Sequence, residues 1–352
     1  MATQWIYFTN FNTSLDNGPG VNERNFLENC KNKISYNLII KGFTRSWIFN
    51  NFFSIISIIL NYQVFMRPNT IVIHRANPFP FNILVLKLLL HHTSKIHIKT
   101  LGKGTLLTKK NRLVHYLNIT VFRLVVKNNV TIDTVSKEFK NYIVNNLNVN
   151  TNKIYIITNG APESMLKLDK RKIEKWRNLK VLNVCFLSNR SALRGINETL
   201  EICKFLSQHF QVNLKIIGNL GQNLEASLVS NKDFNINYLG AIPFENVGQE
   251  LIDQHIGIAW FKPNEYYASP QKIYQYSANN LFVITNSRNV RFLKRFDIGF
   301  ISEAVCLDQI LININKFIQG NKWQMESFEK RNSYLSVSWR IFKRLKVAKS
   351  YF

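Results

Sequence analysis

Short apolar runs rich in β-branched residues recur along this chain with helical-length segments between them, and this alternation constrains its fold more than any other feature. Six runs, at residues 5–9, 36–41, 70–75, 95–100, 130–135 and 153–158, precede a break at Asn159-Gly160-Ala161-Pro162. Six more follow a polar, basic stretch, at 181–187, 212–217, 236–239, 255–260, 281–285 and 299–301. Between the later runs, segments 196–209, 246–254, 270–279 and 305–319 read as helices. Near-continuous apolarity within each run means a strand covered on both faces, as parallel sheets require. The pattern therefore predicts an α/β protein: two doubly wound, Rossmann-like domains facing across a cleft, over 1–160 and 161–332. A length of 352 residues suits two such domains. Ligands of open parallel sheets bind outside the carboxyl ends of the strands, so residues that follow strands are where chemistry is expected.

Charge narrows the partners. With 46 Lys plus Arg against 21 Asp plus Glu, the formal charge is +25, which calls for nucleic acid, anionic lipid or a phosphorylated substrate. The excess is uneven: fifteen Lys and Arg and no Asp or Glu lie between Glu28 and Asp133. The tail after Glu329 is also acid-free. Arg340, Lys343, Arg344, Lys346 and Lys349 interleave there with Trp339, Ile341, Phe342 and Leu345. Residues 333–352 read as a basic amphipathic helix that either lies on an anionic surface or packs back on the first domain.

With 46% hydrophobic and 19% charged residues, the composition excludes wholesale disorder and a multispan membrane protein. Cys30, Cys185, Cys203 and Cys306 form no CxxC pair, so neither a zinc knuckle nor a disulfide framework is indicated, and a reducing compartment is expected. No signal peptide is read at the N-terminus. The apolar stretches 52–60 and 83–90 are well short of the roughly 20 residues that a bilayer span needs.

Several post-strand segments carry chemistry. The loop after the first run contains Gly18 and Gly20 ahead of a helix, where backbone can approach an anion. Ser188-Asn189-Arg190-Ser191-Ala192-Leu193-Arg194-Gly195 leads into a helix, and its two guanidiniums beside a helix N-terminus suit a diphosphate. Two further runs end in Gly218 and in Gly240-Ala241-Ile242-Pro243, where a missing side chain would let a flat base approach the backbone. Ser269-Pro270 opens a helix with Lys272 in its first turn and Gln275 on the same face, a second candidate anion site. His74 and Lys99 end runs of the first half, where an acceptor-side group would project, and a lone strand histidine is more often a core residue.

Taken in order over about residues 5 to 300, these segments resemble retaining glycosyltransferases of the GT-B fold, in particular glycosyltransferase family 4. Ser136 followed by Lys153 to Thr158 and Asn159-Gly160 is similar to the family's crossover, Arg194-Gly195 to its Lys-Gly pair, and Ser269-Pro270-Gln271-Lys272 through Ala278 to its helix-opening motif. The resemblance implies metal-independent transfer of a sugar from a nucleotide sugar, with retention and without a cofactor. It assigns Arg190 and Arg194 to the donor diphosphate, Gly240 to Pro243 to the base, Lys272 and the Ser269-Pro270 helix start to phosphate or sugar, and Gly18 and Gly20 to the donor phosphates. The donor's own phosphate would serve as base.

The chain departs from the family where paired glutamates would stand: Tyr267 and Gln275 occupy those positions, and Glu265 is the nearest acid. Three functions follow as expectations. The first is a glycosyltransferase acting on a glycan or lipid-linked acceptor in cell-surface polysaccharide synthesis, such as lipopolysaccharide or capsule, peripheral on the cytoplasmic face of a membrane. The second is a catalytically inactive GT-B module that binds a sugar nucleotide or glycan. The third, a nucleic-acid binder, rests on charge alone, and no reader motif accompanies it.

Overall fold

The computed structural model describes residues 3–9, 26–28, 30, 38–41, 47–75, 81–100, 112–126, 129–177, 179–188, 195–219, 233–261, 270–288 and 290–349. It divides into two compact units, Met1–Thr158 together with Arg340–Phe352, and Asn159–Trp339. Each is built on a six-stranded parallel sheet with helices from the intervening segments, the doubly wound α/β class that the alternation predicts.

In the first unit the strands are β1 (Gln4–Phe8), β2 (Leu38–Ile40), β3 (Thr70–Arg75), β4 (Lys95–Lys99), β5 (Val130–Thr134) and β6 (Ile154–Ile156), in spatial order β2-β1-β3-β4-β5-β6. From β2 onward every crossover steps the same way across the sheet. Right-handed connections therefore put the helices Trp47–Leu60, Phe81–Leu89, Arg112–Val125 and Lys137–Leu147 on one face, each packing on the next. The core joins Ile6, Phe8, Val72 and Ile98 of the strands to Ile83, Phe122 and Ile143 of the helices. Each such side chain contributes roughly 1.5–3 kcal/mol by leaving water. Local signals set the helix ends: Ser136 accepts from the backbone N–H of Phe139 at 3.1 Å, and Asn148 closes the same helix in the left-handed region at φ 51°.

The second unit has β7 (Val181–Leu187), β8 (Gln211–Ile217), β9 (Asn235–Gly240), β10 (Ile256–Ala259), β11 (Phe282–Thr285) and β12 (Gly299–Ile301), in spatial order β12-β11-β10-β7-β8-β9. The chain works outward from β7 to β9, returns to place β10 on the other side of β7, and works outward again. Helices Ile196–Leu206, Phe244–Leu251, Gln271–Ala278 and Leu307–Gln319 flank this sheet.

The tail departs from the single helix expected over 333–352. Residues 333–335 end a separate helix, Met325–Leu335, and Ser336 interrupts it by pairing with Ala161 before a second helix, Val337–Lys349, begins. From Arg340 onward this last helix belongs to the first unit. Its arginines face inward: Arg340 donates to Thr158 at 3.2 Å, and Arg344 donates to the carboxylate of Asp133. Asp133, fully buried on β5, also accepts from His97 at 3.0 Å, while the other ring nitrogen of His97 meets the Thr131 hydroxyl at 2.8 Å. Burial alone would raise the Asp133 carboxyl; the Arg344 guanidinium and the His97 contact overcome it and bring its pKa down to about 2. Trp339, Phe342, Lys346 and Lys349 of the same helix remain exposed.

Asp133→Ala should therefore cost about 3–5 kcal/mol in urea unfolding, because it leaves the buried Arg344 charge without its partner. Because the Asp133 pKa is depressed, its contribution is present above its unfolded value near 3.8 and is lost as pH falls through about 2. A buried histidine acts in a higher window. His74, held neutral by burial with its pKa lowered from 6.5 to about 3, binds its proton more readily in the unfolded chain. Stability should fall by about 2 kcal/mol on its account between pH 7 and pH 5, and His74→Gln should flatten that part of the urea-derived pH profile.

Candidate functional site

The strand order of the second unit separates the carboxyl ends of β7 and β10, the switch point at which open parallel sheets bind ligands. Ladder pairing between these strands runs from Val184 with Ile256 to Phe186 with Ile258 and then stops. The Tyr276 hydroxyl fills the gap: it accepts from the backbone N–H of Leu187 at 2.7 Å and donates to the carbonyl of Ile258 at 3.2 Å. Its ring reaches that depth because Gly257 in β10 has no Cβ, which would otherwise fall inside the aromatic carbons.

Beside this wedge, Lys272 stands in the first turn of the Gln271–Ala278 helix. Its ammonium lies 5.0 Å from the centroid of the Phe186 ring and 4.8 Å from that of Phe261, and it donates to the Leu187 carbonyl at 3.2 Å. That first turn carries no acid, so the cation opposes the positive end of the helix dipole. An anion seated there would complement both. Pro270 caps the helix in extended conformation.

The far end of the helix is fixed by two lysines. Lys172 donates to the Ala278 carbonyl at 3.2 Å and Lys175 to that of Asn279 at 2.8 Å, which suits the negative end of the dipole. Burial lowers the Lys172 pKa to about 8 and drives that of Lys175 well below its usual value. Trp176 donates to the Asn280 carbonyl at 3.0 Å. Neutral His255 accepts from the Asn183 N–H at 3.0 Å and meets the Lys175 carbonyl at 2.9 Å, and burial lowers its pKa to about 4.

Neighbouring strand ends complete the rim. Gly218, at φ 120°, and Gly240, at φ 66°, are joined directly, since the N–H of Gly218 donates to the carbonyl of Gly240 at 2.7 Å. A Cβ at Gly218 would run into the Ser188 carbonyl, so this position admits glycine alone without a shift of the β7 end. Gly195 caps the Ile196–Leu206 helix at φ 83°, and a Cβ there would lie 2.6 Å from the Trp260 side chain. Pro243 caps the Phe244–Leu251 helix. Beyond β10, the Asn286 amide clamps the backbone of Phe261, accepting from its N–H at 2.9 Å and donating to its carbonyl at 2.7 Å.

Of the residues read from sequence, Gly218, Gly240, Pro243, Pro270, Lys272 and Gln275 thus belong to this unit's strand ends and helix starts. Gln275 is buried, at 5% exposure, one turn after Lys272. Gly18, Gly20, Arg190, Arg194, Glu265 and Ser269 lie outside the described residues. In the first unit, His74 is the penultimate residue of β3, beside β1, enclosed and stacked on Phe8 at 4.6 Å between centroids. Lys99 ends β4 with its ammonium 4.4 Å from the centroid of Phe26. Both are packed residues here. Tyr276, Phe186, Phe261 and Asn286 escaped the sequence reading. Tyr276 carried the one available signal, a hydroxyl within an otherwise inward-facing helix stretch.

No protein-family profile matches the chain, and no curated protein sequence does. Solved structures do. A glycosyltransferase from Rickettsia africae ESF-5 is similar at 18% identity over 99% of both chains, with a TM-score of 0.69. Sucrose-phosphate synthase from Thermosynechococcus elongatus is similar at 10% identity over 100% of this chain and 99% of its own, with a TM-score of 0.67. Anabaena Alr3699/HepE, solved with UDP and glucose, is similar at 11% identity over 100% of both chains, with a TM-score of 0.65. These neighbours are GT-B glycosyltransferases, and the chain has their fold.

Tyr276→Phe should leave the Leu187 N–H and the Ile258 carbonyl without their buried partner and cost roughly 1–3 kcal/mol in urea unfolding. A midpoint equal to that of the unaltered chain would remove the hydroxyl from its wedging role.

Proposed function

We propose that the protein is a metal-independent, retaining glycosyltransferase that moves a sugar from a nucleotide-sugar donor to a glycan or lipid-linked acceptor, at the cytoplasmic surface of a membrane. The observation that carries this reading is Lys272, a cation set against its own helix dipole at the β7–β10 switch point and framed by two aromatic rings. A diphosphate suits that arrangement, and the open space beside Gly240 at the end of β9, where no atom lies within 4 Å of an added Cβ, leaves room for the attached nucleoside. Arg190 and Arg194 supply further positive charge by sequence position. Together with Lys272 they would stabilise the charge that builds on the diphosphate as the sugar leaves, the task that a metal performs elsewhere. In the transfer, the bond from the anomeric carbon to the diphosphate oxygen breaks, the acceptor oxygen bonds to the same carbon, and its proton passes to the departing diphosphate. UDP-linked sugars are the first donors to try, because Anabaena Alr3699/HepE was captured with UDP-glucose.

One observation favours a second reading, an inactive binding module: a neutral amide, Gln275, stands where the family resemblance places a glutamate. An amide holds ribose hydroxyls less strongly than a carboxylate does. Calorimetry and mass spectrometry together separate the two. Nucleoside diphosphate release from a nucleotide sugar supports transfer, whereas nucleotide binding without turnover of any donor supports the module.

Lys272→Ala and Arg194→Ala should each weaken nucleoside diphosphate binding by about 1.5–3 kcal/mol, the loss of one charge-assisted hydrogen bond. Unchanged affinity by calorimetry removes the residue concerned from the donor site.

A further inference from the structure

The Trp47–Leu60 helix is built inside out. Its inward positions carry Asn50 and Ser54 as well as Ile58, all under 5% exposed, and the Asn82 amide reaches the Ser54 hydroxyl at 3.4 Å. Its outward positions carry Phe49 at 60% exposure, Phe52 at 61%, Ile59 at 54% and Leu60 at 76%, with Phe53 and Ile56 between them. No charged residue occurs anywhere in its 14 residues. Folding in water alone selects the opposite arrangement. A phenylalanine has roughly 150–250 Å² to bury, so the two most exposed rings alone leave about 200–300 Å² of contiguous apolar surface in solvent.

We propose that this face is a membrane-interface element, seated in the boundary between headgroups and acyl chains of an anionic bilayer. The proposal deepens the membrane part of the reading above and requires no catalytic activity. Charge complementarity identifies the occupant. The helix lies within the span that holds fifteen Lys and Arg and no acid, and exposed Lys41 and Arg67 stand on either side of it. A second copy of the chain would bring two such cationic spans together, whereas an anionic surface attracts one. At 1.5 Å per residue the helix is about 21 Å long, less than the ~30 Å of a hydrocarbon core, so it lies in the interface instead of crossing. No helix of the described residues is long and apolar enough to cross a membrane.

Cosedimentation of the full chain tests the proposal, using phosphatidylcholine vesicles with and without phosphatidylglycerol, at physiological and at high salt. The chain should prefer the anionic vesicles. Phe52→Ser combined with Ile59→Ser should lower its partition at least about tenfold with no drop in thermal midpoint, since both side chains are already in solvent. Phe52→Trp should add emission to that of the six native tryptophans, and brominated acyl chains should quench a larger share of it than in the unaltered chain, which reports seating even if the serine variant folds poorly. Unchanged partition of the serine variant, or a Phe52→Trp chain quenched no more than the unaltered one, overturns the proposal. If binding still follows phosphatidylglycerol and salt, only the electrostatic docking survives. A dimer in sedimentation velocity that the serine substitutions dissociate would assign the face to a second copy and also overturn it. Nucleoside diphosphate release measured without vesicles reads the transferase function separately.

Discussion

The second unit depends on a single opening, the place where β7 and β10 cease to pair. The ladder between these two central strands ends at Phe186 and Ile258, and the candidate site sits where it ends. The Tyr276 hydroxyl keeps the two strands apart while satisfying one donor and one acceptor that the opening exposes. Everything nearby follows from that geometry. Gly257 makes space for the ring, Lys272 rises one turn earlier on the same helix, and Lys172 and Lys175 hold the opposite helix end. The site is thus built on a helix fixed at its buried end, with Lys272 in its first turn, which is how a short helix can present a charge with little freedom to move.

In the first unit a parallel sheet of different strand order serves a different balance. Positive charge has been gathered into a span that contains no acid, and the first acid after it, Asp133, is not spent on the surface. It is sunk into β5, between His97 and Arg344. Among the described residues the positive charge takes three roles: Lys272 toward a candidate diphosphate site, Lys172, Arg331, Arg340 and Arg344 buried as structural donors, and others, such as Lys41, Arg67, Lys346 and Lys349, exposed.

Both sheets were legible in the sequence because parallel strands buried on two faces leave unbroken β-branched runs, and turn residues such as Asn159-Gly160 punctuate them. The positions of Gly218, Gly240, Pro270 and Lys272 after strands were legible for the same reason. Tyr276 was not, since a tyrosine inside an amphipathic helix reads as core until the strand it touches is known. Neither was the inward turn of Arg340 and Arg344. Their helical spacing matches a basic outer face, and only a distant aspartate decides otherwise. The inversion of the Trp47–Leu60 helix was also hidden, because polar Asn50 and Ser54 lie four apart on one helix face, which periodicity alone assigns to solvent, whereas both are buried.

Arg344 and Asp133 are separated by 211 residues, and the whole of the second unit is encoded between them. During synthesis β5 emerges with its carboxylate long before the guanidinium that neutralises it exists. The first unit to be made is consequently the last to be finished: its buried ion pair closes only after the intervening domain has left the ribosome. Until then the helix that will cover Asp133 is missing, and the carboxylate must remain hydrated. The order of translation and the order of completion run in opposite directions along this chain.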